Sequence, residues 1–305
     1  MPALPPRLVS NFYLSLSPSC SPPPLLPSLL RLVPPGRLLA AYTDEVYQRS
    51  SLHLCSTCPD ELAAIVAALV RALAQSPAAE LPPPDPGGSA HPRLSLIDNI
   101  SLMSTESPDP PALAALRAAH QGILELTKGL PKHQFSPLAY GHAHPAGYRE
   151  LRDVRRESGF FSSPAAAPSA APGAPPPPAL CTLGVPDTFI TNYNIRLSFP
   201  PPLSPPLLRA PLSRAARASA PGVEALTLPY GPGRLEVACN LVHPPPPEPP
   251  TPTAPLLAAV RGALEGGGGE VEVHAYAVGV TQEQVLAHDF GRSNPEGYTA
   301  LHGGE

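Results

Sequence analysis

The residue types best suited to chemistry gather in one stretch, His91-Pro92-Arg93-Leu94-Ser95-Leu96-Ile97-Asp98. An imidazole titrates near neutrality and serves as general base or acid. A guanidinium grips carboxylates through its planar fork. The chain from Arg93 to about Met103 reads as a strand, and alternation puts Leu94, Leu96, Asp98, Ile100 and Leu102 on one face. Asp98 is then a carboxylate in an apolar row, which needs a cation or several donors to satisfy it. His91, Arg93 and, from an earlier polar loop, Arg49 are the candidates. Asp98 either works beside His91 in catalysis or pairs with a cation only to pin the loop.

A second set lies in the predicted strand 188–198. Phe189, Thr191, Tyr193, Ile195 and Leu197 share one face, while Asn192, Asn194 and Arg196 share the other. The amide-rich face either lines a groove or forms a solvent-facing sheet surface. Asn240, with Ala238 and Val242 two residues away on its own face, must spend its donors and acceptors on backbone or on a ligand. Cys55 and Cys58 form a lone CxxC and read as ordinary residues at a strand end and a helix start. His142 and His144 lack a third ligand at a useful spacing, so no metal site is expected, and His120 falls in a helical apolar stripe as a core histidine.

The elements that must position these groups follow from periodicity. Strands are predicted at 9–16, 38–42 and 50–56, with a helix from about 57 whose stripe is Leu62, Ile65, Val66, Leu69 and Leu73. With a short helix near 25–32 and the strand after Arg93, the order is β-α-β-β-α-β, the ferredoxin-like arrangement. Asp109-Pro110 opens another helix carrying Leu113, Leu116, His120, Ile123, Leu124 and Thr127. A short strand at 135–140 and a charged helix at 148–158 complete residues 1–161. The Pro/Ala-rich run 162–180 reads as a linker, 181–290 repeats the same grammar in degraded form, and 291–305 is a tail. In the second half Thr281 and Gln284 spell a capping box. The expected fold class is α+β, two ferredoxin-like subdomains joined by a Pro/Ala-rich linker.

Composition narrows the functions. Forty-nine prolines in 305 residues make the packed fraction smaller than the length suggests, and a net charge of −4 without a basic tract excludes nucleic acid as the main partner. The longest apolar helical run, 62–73, is too short to cross a bilayer, so no membrane role is expected. Five cysteines without framework spacing suit a reducing compartment. The cytoplasm is the expected location, with an organelle the alternative because no acid precedes Asp44. Oligomeric state stays open, a homodimer included, and PxxP recruitment of partners is no more than such a composition produces by itself.

The pattern HPRLxxxD resembles the active-site segment of the formiminotransferase family, in particular its short plant-type members without a cyclodeaminase half. Tyr47-Gln48-Arg49, Pro137 to Gly141, Val154-Arg155-Arg156 with Gly159-Phe160-Phe161, Thr191 to Asn194 and Leu235 to Leu241 are similar to further family segments in the same order. The resemblance implies transfer of a formimino group from N-formimino-glutamate to N5 of tetrahydrofolate, the co-substrate. It further implies His91 as catalytic base with Asp98 as its acidic partner. Arg49, Arg93, Tyr140, Asn192, Asn194 and Asn240 become the substrate and folate contacts, the arginines holding glutamate carboxylates. The alternative is a weakly active or inactive relative that binds folate or another anionic ligand, or that serves as a protein-interaction module.

Overall fold

The structure, a computed structural model, describes residues 6–76, 93–105, 110–160, 176–200, 205–243, 251–265 and 270–301. It is mixed α+β with two sheets. The first half supplies β1 (Leu8–Leu14), α1 (Leu25–Arg31), β2 (Leu38–Asp44), β3 (Arg49–Ser56), α2 (Pro59–Ala74), β4 (Ile97–Ser104), α3 (Pro110–Thr127), β5 (Ser136–Gly141), α4 (Leu151–Glu157) and β6 (Leu180–Val185). The second supplies β7 (Ile190–Ser198), α5 (Arg209–Ala218), β8 (Val223–Pro229), β9 (Arg234–Val242), α6 (Thr253–Gly262), β10 (Glu272–Ala277), α7 (Gln282–Leu286) and β11 (Thr299–Ala300).

A seven-stranded sheet runs β11-β2-β3-β1-β4-β6-β5 and a four-stranded sheet runs β10-β7-β9-β8. Within the first, β2-β3-β1-β4 is antiparallel throughout, whereas β6 joins β4 and β5 in parallel. The second sheet is wholly antiparallel. In each strand-helix-strand-strand-helix-strand unit the first strand lies between the fourth and the third, with the second outside the third.

The 3.6-residue stripe of α2 buries Leu62, Ile65, Val66, Leu69 and Leu73 against the first sheet, together with Leu116, Ala119 and Ile123 of α3. Each fully buried Leu or Ile stabilises by roughly 1.5–3 kcal/mol, so tertiary packing more than propensity holds these helices. His120 is buried in the same layer, where burial lowers its pKa. Helices α5 and α6 cover the second sheet through Leu212, Ala216, Leu256 and Val260. On the face of the first sheet turned away from α2 and α3, Val9, Cys55 and Met103 pack with Phe189 just before β7, Val280 after β10 and Val285 of α7.

Three expectations need correction. The strand expected from Arg93 begins at Ile97. The boundary at 181 fails because 180–185, a short apolar run buried on both sides as a parallel strand requires, belongs to the first sheet. The tail 291–305 contains β11, which pairs in parallel with β2. Residues 161–175, most of the expected linker, lie outside the described residues, as do His91, Pro92 and Asp109. The capping box has both halves, Gln284 N–H on the Thr281 side chain and Thr281 N–H on Gln284.

Candidate functional site

Between β1 and β4 the register slips: Tyr13 stands opposite Asn99 but Leu14 opposite Ile97. Asp98 is the extra residue, a β-bulge that re-aims its side chain. The alternation predicted through Leu94, Leu96 and Asp98 is broken there, and Ile97 joins Ile100 and Leu102 in the core. Asp98 is fully buried. Its Oδ2 lies 3.2 Å from Arg49 Nη2 and 3.1 Å from Arg155 Nη2, and its Oδ1 accepts the Leu94 N–H at 3.2 Å. Two cations and a backbone donor supply what a buried carboxylate needs.

Arg49 is one of the cations expected from the sequence, whereas Arg155 stands there only within the segment Val154-Arg155-Arg156. It arrives from α4, 57 residues downstream, and its guanidinium lies 4.4 Å from the Phe160 ring centre. Arg93 turns away from Asp98: its Nη2 donates to Tyr47 O at 2.8 Å and to Gln48 Oε1 at 3.5 Å. Burial, then repulsion from Arg49, lowers the pKa of Arg93. The turn that gathers these groups has Gln48 at φ 51°, the only non-glycine with positive φ among the described residues. Such strain persists where surrounding contacts over-determine it.

Tyr13, which feels the charges of Arg155 and Arg49, donates through its hydroxyl to Asn192 Oδ1 on β7. Asn192 Nδ2 donates to Asn240 Oδ1 at 2.8 Å, and Asn240 Nδ2 to Glu224 Oε2 at 3.1 Å. Asn192 and Asn240 are register partners, which is why strand pairing alone brings them together. The amide-rich face of β7 thus looks at the first sheet, half-buried, rather than at open solvent. Tyr140, buried, donates to Ser101 Oγ at 2.7 Å, and burial pushes its phenol up to about 12. Gly184 beside it is obligatory, since a Cβ there would stand 2.4 Å from Tyr140 Cδ1.

Asn194 belongs to a different group. Its Nδ2 donates to Glu236 Oε1 at 2.8 Å, and Arg196 Nη2 donates to Glu236 Oε2 at 3.0 Å. Tyr276 donates to Glu236 as well. The Arg196 guanidinium stacks 3.7 Å from the Tyr230 ring centre, and Tyr230 donates to Asp44 Oδ2 at 3.1 Å on the first sheet. Burial outweighs these donors and pushes Glu236 up to about 7; it also raises Asp44. Sequence reasoning missed this clasp, although Arg196 and Glu236 are cross-strand partners.

Ser51, His53 and Asn11 stand in nucleophile-base-orienter order, with Ser51 Oγ to His53 Nε2 at 3.1 Å and His53 Nδ1 to Asn11 Oδ1 at 2.7 Å. A base near neutrality is what that chemistry needs. Burial holds His53 at about 3, and Gly279 packs so closely that a Cβ there would meet its Cε1 at 2.7 Å. The trio is a buried polar joint. Cys55 is buried at the end of β3 and Cys58 caps α2, the positions expected of them. His142 pairs with Asp187 at 2.8 Å, and His144 accepts the Ala146 N–H. No helix among the described residues is long and apolar enough to cross a membrane.

The structure therefore brings Arg49, Asp98 and Arg93 to one end of the first sheet, joins Asn192 and Asn240 to it through Tyr13, and sends Asn194 into the Glu236 clasp. Comparison with protein-family models gives no match, and comparison with curated proteins gives none either.

Proposed function

We propose that the chain is a formiminotransferase-type protein of two ferredoxin-like subdomains, binding tetrahydrofolate along the seam between the sheets. The observation that carries the reading is the Tyr13–Asn192 bond. It joins the sheet bearing Asp98 and its arginines to the amide pair Asn192–Asn240, so the cationic and amide-rich groups share one seam. The repeated strand order of the two sheets supports the architectural half of the proposal.

In this reading the arginine end holds glutamate carboxylates, which suit guanidinium forks. N5 of tetrahydrofolate attacks the amidine carbon, the new C–N bond forms, and the C–N bond to glutamate breaks as its amine departs with a proton. His91 takes the proton from N5. Asp98, held by two guanidiniums and the Leu94 N–H, acts as a positioning residue for the arginines.

Calorimetric titration of the full chain with tetrahydrofolate, followed by N-formimino-glutamate and detection of the 5-formimino product, tests the proposal. Saturable binding and turnover that is lost in His91→Ala are expected. Absence of folate binding sinks the reading; full turnover in His91→Ala removes His91 as the base.

A further inference from the structure

Asp98 divides one negative charge between Arg49 and Arg155, while Arg93 has no carboxylate partner among the described residues. Arg93 Nη1 and Arg155 Nε are buried and lack hydrogen-bond partners there. Unsatisfied buried guanidinium nitrogens are costly and call for an acceptor; Arg93 feels the charges of Arg49 and Asp98, and Asp98 is the carboxylate that Arg49 and Arg155 share. The three side chains come from three elements, the start of β3, the segment leading into β4, and α4. Arg49 and Arg155 keep 15% and 18% of their side-chain surface exposed, so the cluster is reachable from solvent.

From this convergence we infer that Arg49, Arg93 and Arg155 form a binding site for a compact oxyanion of the phosphate class. A single carboxylate neutralises one charge through two oxygens. A phosphate dianion presents more acceptors in a tetrahedral array and matches forks arriving from several directions. Gln48, in the turn between β2 and β3, contributes the amide oxygen that helps hold Arg93 beside the start of β3. The assignment does not rest on the folate reading.

The test is titration of the full chain with inorganic phosphate at constant low ionic strength, by calorimetry and by 31P NMR line broadening, with chloride as control anion and glutarate as a two-carboxylate probe. One saturable phosphate site is expected, untouched by equimolar chloride. Arg93→Met and Arg155→Met each weaken it by about ten- to a hundredfold, the range for a lost charge-assisted hydrogen bond. Arg93→Lys, which keeps the charge and is the gentler change to the fold, gives a smaller loss. Absence of saturable phosphate binding overturns the assignment, as does unchanged affinity in Arg93→Lys and in a folded Arg93→Met. Binding of glutarate without phosphate overturns it too and leaves the folate reading standing. Phosphate binding without tetrahydrofolate binding separates the two the other way.

Discussion

The Tyr13 hydroxyl donates to Asn192 Oδ1, and this one bond sets the polarity of every amide behind it. With its oxygen facing Tyr13, Asn192 must turn its NH2 toward Asn240, which in turn presents its own NH2 to Glu224. Tyr13→Phe is expected to destabilise the chain by about 1–2 kcal/mol, the cost of a buried acceptor left unmade. A double-mutant cycle with Asn192→Ala, read by urea unfolding, checks it. Additive effects would show that the two residues do not communicate.

Asp98→Asn leaves Arg49 and Arg155 without their shared carboxylate. Breaking a buried pair this way costs about 3–5 kcal/mol, and the partial exposure of both guanidiniums places the expectation near 3. Chemical denaturation at neutral pH measures it, with an unchanged m-value showing that only stability moved.

Two buried groups give pH dependences of opposite sign. Glu236, raised to about 7, keeps its proton in the fold while the unfolded chain loses it above the ordinary 4.5. Relative to Glu236→Gln, the native chain is expected to lose stability as pH rises from about 4.5 to 7 and to hold a constant offset above. The loss is on the order of 3 kcal/mol, at about 1.4 kcal/mol per pH unit. His53, held at about 3, is neutral in the fold while the unfolded imidazole protonates below 6.5. Its contribution is intact above 6.5 and falls as pH drops toward 3. Melting curves from pH 3 to 8 of the native chain, Glu236→Gln and His53→Gln separate the two slopes. Parallel curves for native and Glu236→Gln would contradict the first.

Gln48→Gly relieves the left-handed strain of the turn and is expected to stabilise the chain by about 1 kcal/mol while loosening Arg93. Thermal unfolding beside phosphate titration reads both. A drop in stability would mean that the Gln48 side chain contributes more than its backbone costs.

Much of the fold was legible because periodicity is a local signal. The α2 stripe, the 223–242 hairpin and the capping box at Thr281 each follow from residues within a few positions of one another. The site was only half legible. Alternation assumes an unbroken ladder, so the bulge at Asp98 was invisible, and with it the escape of Arg93 to Tyr47. Arg155 could not be placed beside Asp98 without knowing where α4 docks. The strand 180–185 was not legible because a short, mostly apolar run beside a proline run carries no readable period. Glu236 carries no local signal of its own; its cross-strand pairing with Arg196 is what marks it.

The chain leaves the first sheet after β6, builds the four-stranded sheet, and returns to the first sheet at β11. Asn294 fastens that return, accepting from the Arg37 and Leu38 N–H groups and donating to the Val33 and Pro34 carbonyls. The four-stranded unit is therefore moored at both ends, like an inserted module and unlike a bead on a string. Freedom of the two sheets to swing apart is given up during folding, so a molecule entering the seam meets walls whose mutual orientation has already been settled, and its own binding energy is not drawn down to bring them together.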